Sequence, residues 1–233
     1  MSTNAMVAVC DVLGFGDYIK HNSLDDAKIY LKSIQDLANK SPLTAYTPEG
    51  NVQLYVGQVH FSDTVVFYSL EDHIRAFEHI IFTVLRILAI PLLHPDYRFR
   101  IGISYGEFFY DNREHIYVGK ALVDAYNLEI KQEWCGAALS QAAFDKVAES
   151  FTAGYYLIEY NVPIKNDKRQ SYNVINWTLG QHEPIADERF LERDYAIPST
   201  EREKNIEIKL KNTEQFHSDV CVQCRQFRKP YKT

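Results

Sequence analysis

Short apolar runs alternate along the chain with stretches in which apolar residues recur every three or four positions, a mixture that predicts both strands and helices. Residues 6–12 are apolar up to a single acid, and residues 64–70 form a second β-rich run. Between residues 72 and 93 the apolar side chains fall on one helical face of about five turns. The first two segments are predicted strands, and the third is a predicted helix.

Capping and turn residues divide these segments. Ser23, followed by Asp26, has the form of a helix capping box, and Ser140 begins another capped helix. Two β-rich runs meet at Ser62 and Asp63, which predicts a β-hairpin.

Three later segments complete the pattern. Residues 97–111 predict a strand, residues 118–132 a helix that begins at Gly119, and residues 152–177 a hairpin with a charged turn. The order β-α-β-β-α-β-α-α-β-β predicts an α+β domain, in which a mostly antiparallel sheet carries helices on one face.

The composition turns polar after residue 178, which predicts one domain over residues 1–178 and a C-terminal extension over residues 179–233. We expect the extension to run along the domain or its partner as a helix or an extended segment. Within it, His217, Cys221 and Cys224 offer three of the four ligands of a structural zinc site. Without a fourth ligand from a partner, we expect reduced cysteines in a mobile tail.

Composition excludes several classes of protein. The hydrophobic content of 46% is enough for one large core, and the net charge of −6 provides no global basic field for a nucleic-acid duplex. No segment approaches the roughly 18 apolar residues of a membrane span, and the N-terminal run is too short for a signal peptide. We therefore expect a cytoplasmic protein, with no nucleic-acid partner and four reduced cysteines.

Two acids stand where the predicted strands end. If the first strand lies beside the hairpin, Asp11 and Asp63 come to one end of the sheet, where their charges repel unless a hard cation such as Mg²⁺ or Mn²⁺ binds them. Gly14 and Gly16 follow at once and allow backbone amides to approach a phosphate. Spacing alone leaves open the alternative that both acids are ordinary turn residues.

Four motifs resemble a known family. The segments “DVLGF” (11–15), “FSDTVVFY” (61–68), “RIGISYGEFFYD” (100–111) and “VGKALVDAYNLE” (118–129) are similar, in order and spacing, to class III nucleotidyl cyclase domains. The resemblance covers about residues 6–177. It implies a ferredoxin-like-derived α+β fold and the cyclisation of a nucleoside triphosphate with release of diphosphate.

The resemblance also assigns roles to individual residues. Asp11 and Asp63 match the catalytic aspartates that bind two divalent metal ions, Mn²⁺ or Mg²⁺, and Val12 matches the residue that lends a carbonyl to one of them. The triphosphate loop corresponds to Gly14, Phe15 and Gly16.

Further candidates are cations. The late hairpin “IKNDKRQSYNVINW” resembles the one that carries the family's phosphate-binding lysine, so Lys165 or Lys168 is the candidate. Arg100 or Arg98 is a further candidate substrate-binding cation, and structural pairing is the alternative for both.

Three positions depart from the purine cyclases of this family. The lysine that reads the base is replaced by Val59, which has no hydrogen-bond donor. The asparagine and the transition-state arginine of the following helix are replaced by Val123 and Asn127.

The compact chain, the “GKALVDAYNLE” helix and the “NVINW” strand resemble the bacterial pyrimidine cyclases of the Pycsar antiphage system. This resemblance implies UTP or CTP as substrate, with UTP preferred, a homodimer with sites at its interface, and a separate effector that responds to the cyclic nucleotide. A purine cyclase and a degenerate, nucleotide-sensing dimer are the alternatives.

Strand alternation from residue 55 to Asp63 places Tyr55, Gly57, Val59 and Phe61 on the face of that acid. Tyr55 can fill the depth that a pyrimidine leaves in a purine-sized pocket, and the alternative is that it is a core aromatic residue.

Overall fold

The structure is a computed structural model that describes residues 2–39, 43–47, 50–54, 56–89, 98–178 and 201–227. The strands are β1 (Ser2–Val12), β2 (Leu43–Thr47), β3 (Gly50–Leu54), β4 (Val56–Phe61), β5 (Thr64–Ser69), β6 (Phe99–Asp111), β7 (Ile116–Val118), β8 (Gly136–Leu139), β9 (Leu157–Ile164) and β10 (Lys168–Ile175). The helices are α1 (Phe15–His21), α2 (Leu24–Asn39), α3 (Ile74–Ala89), α4 (Lys120–Lys131), α5 (Gln141–Val147), α6 (Phe151–Tyr156) and α7 (Glu201–Phe227).

One eight-stranded sheet organises the fold, with strand order β4-β5-β1-β6-β8-β10-β9 and β7 paired to β6. The central strand β1 pairs antiparallel with β5 on one side and with β6 on the other. Within the described residues, the pairing of β6 with β8 is the parallel one, and β2 and β3 form a separate hairpin. The predicted α+β fold with a mostly antiparallel sheet is confirmed.

Helices cover both faces of the sheet, so the expectation of helices on one face was wrong. Successive residues of β1 point to opposite sides. Met6 and Ala8 belong to the larger apolar core, which includes α3, whereas Ala5 and Val7 pack against α4. A strand buried on both faces reads as a continuous apolar run, which explains the pattern of residues 6–12.

Helix α4 lies unusually close to β6 because of Gly102. A Cβ atom at that position would stand 2.2 Å from the carbonyl oxygen of Ala125 and 2.6 Å from the amide nitrogen of Glu129. Both neighbours are backbone atoms that a side-chain rotation cannot move. The close approach brings the buried face of α4, including Glu129, directly over the sheet.

The predicted caps and the central hairpin are confirmed. The Ser23 amide donates to Asp26 Oδ2 at 3.2 Å and the Asp26 amide donates to Ser23 Oγ at 3.2 Å, so that α2 begins at Leu24. Ser140 Oγ likewise accepts from an amide in the first turn of α5. Strands β4 and β5 join through Ser62 and Asp63, and Ser62 has a left-handed φ of 56°.

Other boundaries differ from the prediction. The strand expected to begin at residue 152 is preceded by helix α6, because Ser150 Oγ accepts from the Ala153 amide at 3.1 Å and starts a helical turn. Gly16 lies inside α1 rather than in a loop. The β-rich run from residue 51 to Asp63, predicted as one strand of the hairpin, is divided between β3 and β4. Strand β8 was not predicted. Helix α3 is described as far as Ala89, and the two prolines expected to close it lie outside the described residues.

The described part of the C-terminal extension is helix α7, which packs against the sheet domain. The ring of Phe216 lies 4.7 Å from that of Trp134 and 4.9 Å from that of Tyr160. His217 stacks on Trp177, and the side chains of Cys221 and Cys224 lie outside the described residues. The boundary near residue 178 stays a prediction. In the regions that the structure covers, no helix has the length and apolar character needed to cross a membrane.

Candidate active site

Strand pairing brings Asp11 and Asp63 together at one end of the sheet. Asp11 pairs with Thr64 in the register of β1 and β5, and the amide of the next residue, Val12, donates to the carbonyl oxygen of Asp63 at 3.2 Å. The side chain of Val12 itself is buried in the core, so only its backbone is available to a ligand. The two acids therefore lie at the same end of the sheet, as the sequence predicted.

The electrostatics of the pair suit a hard cation. Burial raises the pKa of Asp11, the charge of Asp63 raises it further, and Arg100 opposes both effects. Two carboxylates and a backbone carbonyl are the oxygen donors that Mg²⁺ and Mn²⁺ prefer. Among the described residues, no group of three or more His, Cys, Asp and Glu side chains could hold a metal ion. A cation would therefore depend on these two acids, on backbone oxygen and on phosphate oxygens.

Arg100 forms ion pairs and hydrogen bonds with other residues of the protein, which is the structural alternative that the sequence left open. Its Nη2 donates to Asp11 Oδ2 at 3.2 Å, its Nε donates to Glu129 Oε1, and its Nη1 donates to the carbonyl oxygen of Gln132 at 3.2 Å. The side chain is 11% exposed. Arg98 is also buried, and its carbonyl oxygen accepts from the Leu13 amide. Arg100 is thus the arginine that contacts the acid pair.

Glu129 completes this charge cluster and was not predicted. The residue is 2% exposed, and burial raises its pKa to about 7, with the charge of Arg100 opposing the shift and that of Asp11 adding to it. It lies on the buried face of α4 beside Ala125 and Leu128. An acid on the apolar face of an amphipathic helix was the available signal, because such a residue needs a buried cation.

The turn after β1 is fixed by Gly14. This residue has a left-handed φ of 82° and forms the N-cap of α1. The side chain of Phe15 points into the core, where its ring stacks on Tyr18 and Tyr30 at centroid distances of 6.4 and 5.8 Å. Only the backbone of Phe15 can therefore serve a ligand. Gly16 lies in the first turn of α1, shortly after Asp11 in the chain.

An aromatic residue of β5 packs against β4, the strand that leads to Asp63. Tyr55 lies outside the described residues. A Cβ atom at Gly57 would meet the ring of Tyr68 at 2.1 Å, and Val59 packs against the same apolar cluster as Tyr68. The hydroxyl of Tyr68 donates to Asn112 Oδ1 at 3.0 Å. The space above Gly57 is thus filled by Tyr68, a tyrosine that sequence reasoning did not select.

The two lysines of the late hairpin line a cleft of about 410 Å³ between its turn and α7. The Lys165 amide donates to the carbonyl oxygen of Lys131, the last residue of α4, at 2.9 Å. The charge of Lys165 also acts on the pKa of Glu129. Lys165 is therefore linked to the charge cluster, whereas Lys168 lies farther along the hairpin as the first residue of β10.

Solved structures share this architecture. No protein-family model and no curated protein matches the chain. The catalytic core of a rhodopsin-guanylyl cyclase with converted specificity, solved with ATPαS, superposes with a TM-score of 0.55 at 13% identity, over 75% of this chain and 98% of its own. The adenylyl cyclase CyaB from P. aeruginosa superposes with a TM-score of 0.53 at 14% identity, over 76% of this chain and 95% of its own. A non-canonical dimeric guanylyl cyclase domain from Blastocladiella emersonii superposes with a TM-score of 0.52 at 15% identity, over 74% of this chain and 96% of its own. The chain has the class III nucleotidyl cyclase fold.

Val123 and Asn127, at which the sequence departs from the purine cyclases that it resembles, lie on the solvent face of α4. Val123 and Asn127 are both exposed, and Tyr126 between them is half exposed. A further exposed apolar side chain, Phe61, lies at the tip of the hairpin that carries Asp63, where its ring contacts Tyr117. We call the exposed apolar side chains of this tip and of α4 the α4 patch, and its members are Phe61, Val123 and Tyr126.

Proposed function

We propose that this chain is a nucleotidyl cyclase that converts UTP into 3′,5′-cyclic UMP and diphosphate. The observation that supports the proposal is the meeting of Asp11 and Asp63 at the end of β1, directly before the Gly14 turn, in a chain with the cyclase fold. Arg100 shares its single charge between Asp11 and Glu129, so the two acids at this turn keep net negative charge. They suit a reaction in which a polyphosphate and divalent cations must be neutralised together.

Each part of the site has its own task in the proposed reaction. The 3′-hydroxyl of the ribose loses its proton to solvent and attacks the α-phosphorus, the new P–O bond closes the ring, and the bond from the α-phosphorus to the α–β bridging oxygen breaks to release diphosphate. Two Mg²⁺ or Mn²⁺ ions, when bound by Asp11, Asp63 and the Val12 carbonyl, supply positive charge to the hydroxyl and the phosphates. The amides of Gly14, Phe15 and Gly16 bind the triphosphate.

Arg100 acts in this scheme through Asp11. Its donation to Oδ2 fixes the orientation of the carboxylate, and a carboxylate keeps a second oxygen for a cation. Lys165 serves the phosphates from the late hairpin, with Lys168 as the alternative. Positioning and electrostatics carry most of the catalysis, because phosphoryl transfer needs little covalent help from the protein.

A pyrimidine is the proposed base because the purine-reading features are missing. Val59 offers no hydrogen-bond donor, and the Tyr68 ring takes up depth above Gly57. A smaller base suits a shallower site. UTP is preferred over CTP from the resemblance to the Pycsar cyclases, and the proposed role as an antiphage messenger that acts on a separate effector protein in the cytoplasm has the same source.

The active form is proposed to be a homodimer. The α4 patch exposes three large apolar side chains, of which Phe61 lies two residues before Asp63, and such surfaces favour association. One structurally similar guanylyl cyclase domain is described as a non-canonical dimer in one structure and as a monomer in another. Since Val123 and Asn127 lie in or beside the patch, the partner subunit would reach the nucleotide through this face.

A second candidate is a dimer of the same fold that binds a nucleotide without turning it over. The loss of a cation at Asn127 favours it, whereas the retained acid pair favours the enzyme. Purified full-length protein should be incubated with Mn²⁺ and each of the four ribonucleoside triphosphates in turn. Cyclic UMP is the expected product. Cyclic CMP, cyclic AMP or cyclic GMP would reassign the substrate, and binding without any cyclic product would establish the sensor.

A further inference from the structure

Helix α7 crosses the end of the sheet at which the acid pair lies. Ile206 Cδ1 stands 3.8 Å from the position that a Cβ atom at Gly14 would take. Two turns along the helix, Thr213 Oγ1 accepts from the Cys135 amide at 2.8 Å. Because residues three, four and seven apart share a helical face, α7 presents one face to the domain from the Gly14 turn to Cys135.

Lys209 occupies the middle of that face. Its side chain is only 13% exposed, and its Nζ lies 4.0 Å from Glu133 Oε2. Burial and the charge of Arg100 lower the pKa of Lys209, while the charges of Glu133 and Asp11 oppose this. The carboxylates compensate this sheltered ammonium group only in part, since its pKa is lowered overall, so an anionic ligand would stabilise it.

Besides the lysine of the late hairpin, a bound triphosphate would need further positive charge at the Gly14 turn. Arg100 already bonds two acids, and Asn127 carries no charge. A bound triphosphate would bring several negative charges to the Gly14 turn, next to Asp11 and Asp63. Lysine is a common phosphate ligand because its ammonium group acts as a compact point charge.

We propose that Lys209 is a phosphate-binding residue of the nucleotide site, and that α7 is therefore part of the site and not an appendage to the domain. The ligand class is the polyphosphate of a nucleoside triphosphate. The assignment rests on the proposed function for the position of the substrate, and on the docking of α7 for the position of the lysine.

The test compares Lys209→Met with two other variants. Lys209→Arg keeps the charge. Lys211→Met removes an exposed lysine of the same helix that pairs with Glu207 one turn away, and it is the matched control. Binding of UTP with a methylene group between its α- and β-phosphorus atoms, which cannot be cyclised, should be measured by calorimetry in Mn²⁺, with UMP as the reference ligand.

We expect Lys209→Met to weaken binding of the triphosphate analogue at least about tenfold and binding of UMP less than about twofold. Lys209→Arg should retain most of the affinity, and Lys211→Met all of it. Equal affinity of Lys209→Met and Lys211→Met for the analogue would overturn the proposal. So would turnover of UTP by Lys209→Met that exceeds the parent's, because α7 would then obstruct the site.

A second measurement needs no variant. In the parent protein, the triphosphate analogue but not UMP should protect Lys209 from acetylation, as read by peptide mass spectrometry, while labelling of Lys211 stays constant. Unchanged labelling of Lys209 at saturating analogue contradicts the assignment. The two proposals fail separately: cyclic product without dependence on Lys209 refutes this inference alone, whereas Lys209-dependent binding without cyclic product refutes the cyclase alone.

Discussion

Arg100 donates from Nη2 to Oδ2 of Asp11 at 3.2 Å, although the two residues lie 89 positions apart in the chain. The same guanidinium donates to Glu129 on α4. One buried cation thus holds a strand acid and a helix acid, and it connects the proposed metal site to the packing of the second face of the sheet.

Replacement of Arg100 by Met should destabilise the fold, because it leaves Glu129 and Asp11 without their cation. Breaking such a buried pair costs about 3–5 kcal/mol of unfolding free energy. Urea denaturation followed by circular dichroism measures this loss. The double variant Arg100→Met with Glu129→Gln should be more stable than Arg100→Met alone, since it removes one unpaired acid. A loss under about 1 kcal/mol in the single variant would show that the cluster contributes little.

Glu129 should make stability depend on pH. Its pKa is about 7 in the folded chain against an ordinary value of 4.5, so the folded state binds the proton more tightly than the unfolded state does. The stabilising contribution is therefore fully present below about 4.5 and is lost as the pH rises through about 7.

Urea titrations between pH 5 and pH 8 test this dependence. The parent should lose roughly 1–3 kcal/mol more than Glu129→Gln over that interval, because the variant has no proton to release at this site. Parallel pH profiles for the two proteins would exclude Glu129 as the titrating group.

Gly102 should tolerate no side chain. An alanine Cβ would stand 2.2 Å from a backbone oxygen of α4, so Gly102→Ala should displace the helix and cost roughly 2–4 kcal/mol. Gly154 in α6 has no atom within 4 Å of an added Cβ, and Gly154→Ala should be neutral or stabilising by up to about 1 kcal/mol. Thermal melts of the two variants measure the contrast, and similar melting temperatures would contradict it.

The fold was largely predictable because its local signals agree with its packing. Ser23 and Asp26 form the capping box that their spacing predicted, and the acid pair meets because β5, which begins directly after Asp63, pairs with β1. These features depend on neighbouring residues and on strand pairing, both of which leave a pattern in the sequence.

The remainder of the site depends on contacts between distant segments, which a single sequence does not record. In the sequence, Lys209 is one of many charged residues in a polar segment. In the structure, the packing of α7 against the domain shelters its side chain, and the charge of Asp11 acts on it. Tyr68 reads as an ordinary strand residue, yet Gly57 makes room for its ring. The helix α6 was missed for a different reason: the Ser150 cap outweighed the β-rich composition of the tyrosines that follow.

The α4 patch should hold the proposed dimer together. Val123→Glu would bury an unpaired charge in the interface, so it should yield monomers in sedimentation velocity and lose at least about tenfold in turnover. Ile29→Glu is the control, because Ile29 is an exposed apolar residue of α2 outside the patch. A parent that sediments as a monomer while it is fully active would refute the dimer.

The most direct measurement is turnover of UTP in Mn²⁺ by the parent, Asp11→Asn and Asp63→Asn, with quantification of cyclic UMP. Asparagine preserves shape and relieves the repulsion between the two acids, and Arg100 keeps Glu129 as its partner in Asp11→Asn, so both variants should fold. Asp25→Asn, at an exposed acid of α2, is the control. We predict that the parent and the control form cyclic UMP, and that each site variant loses at least about 10²–10³-fold in rate. Undiminished turnover by either folded variant would contradict the account.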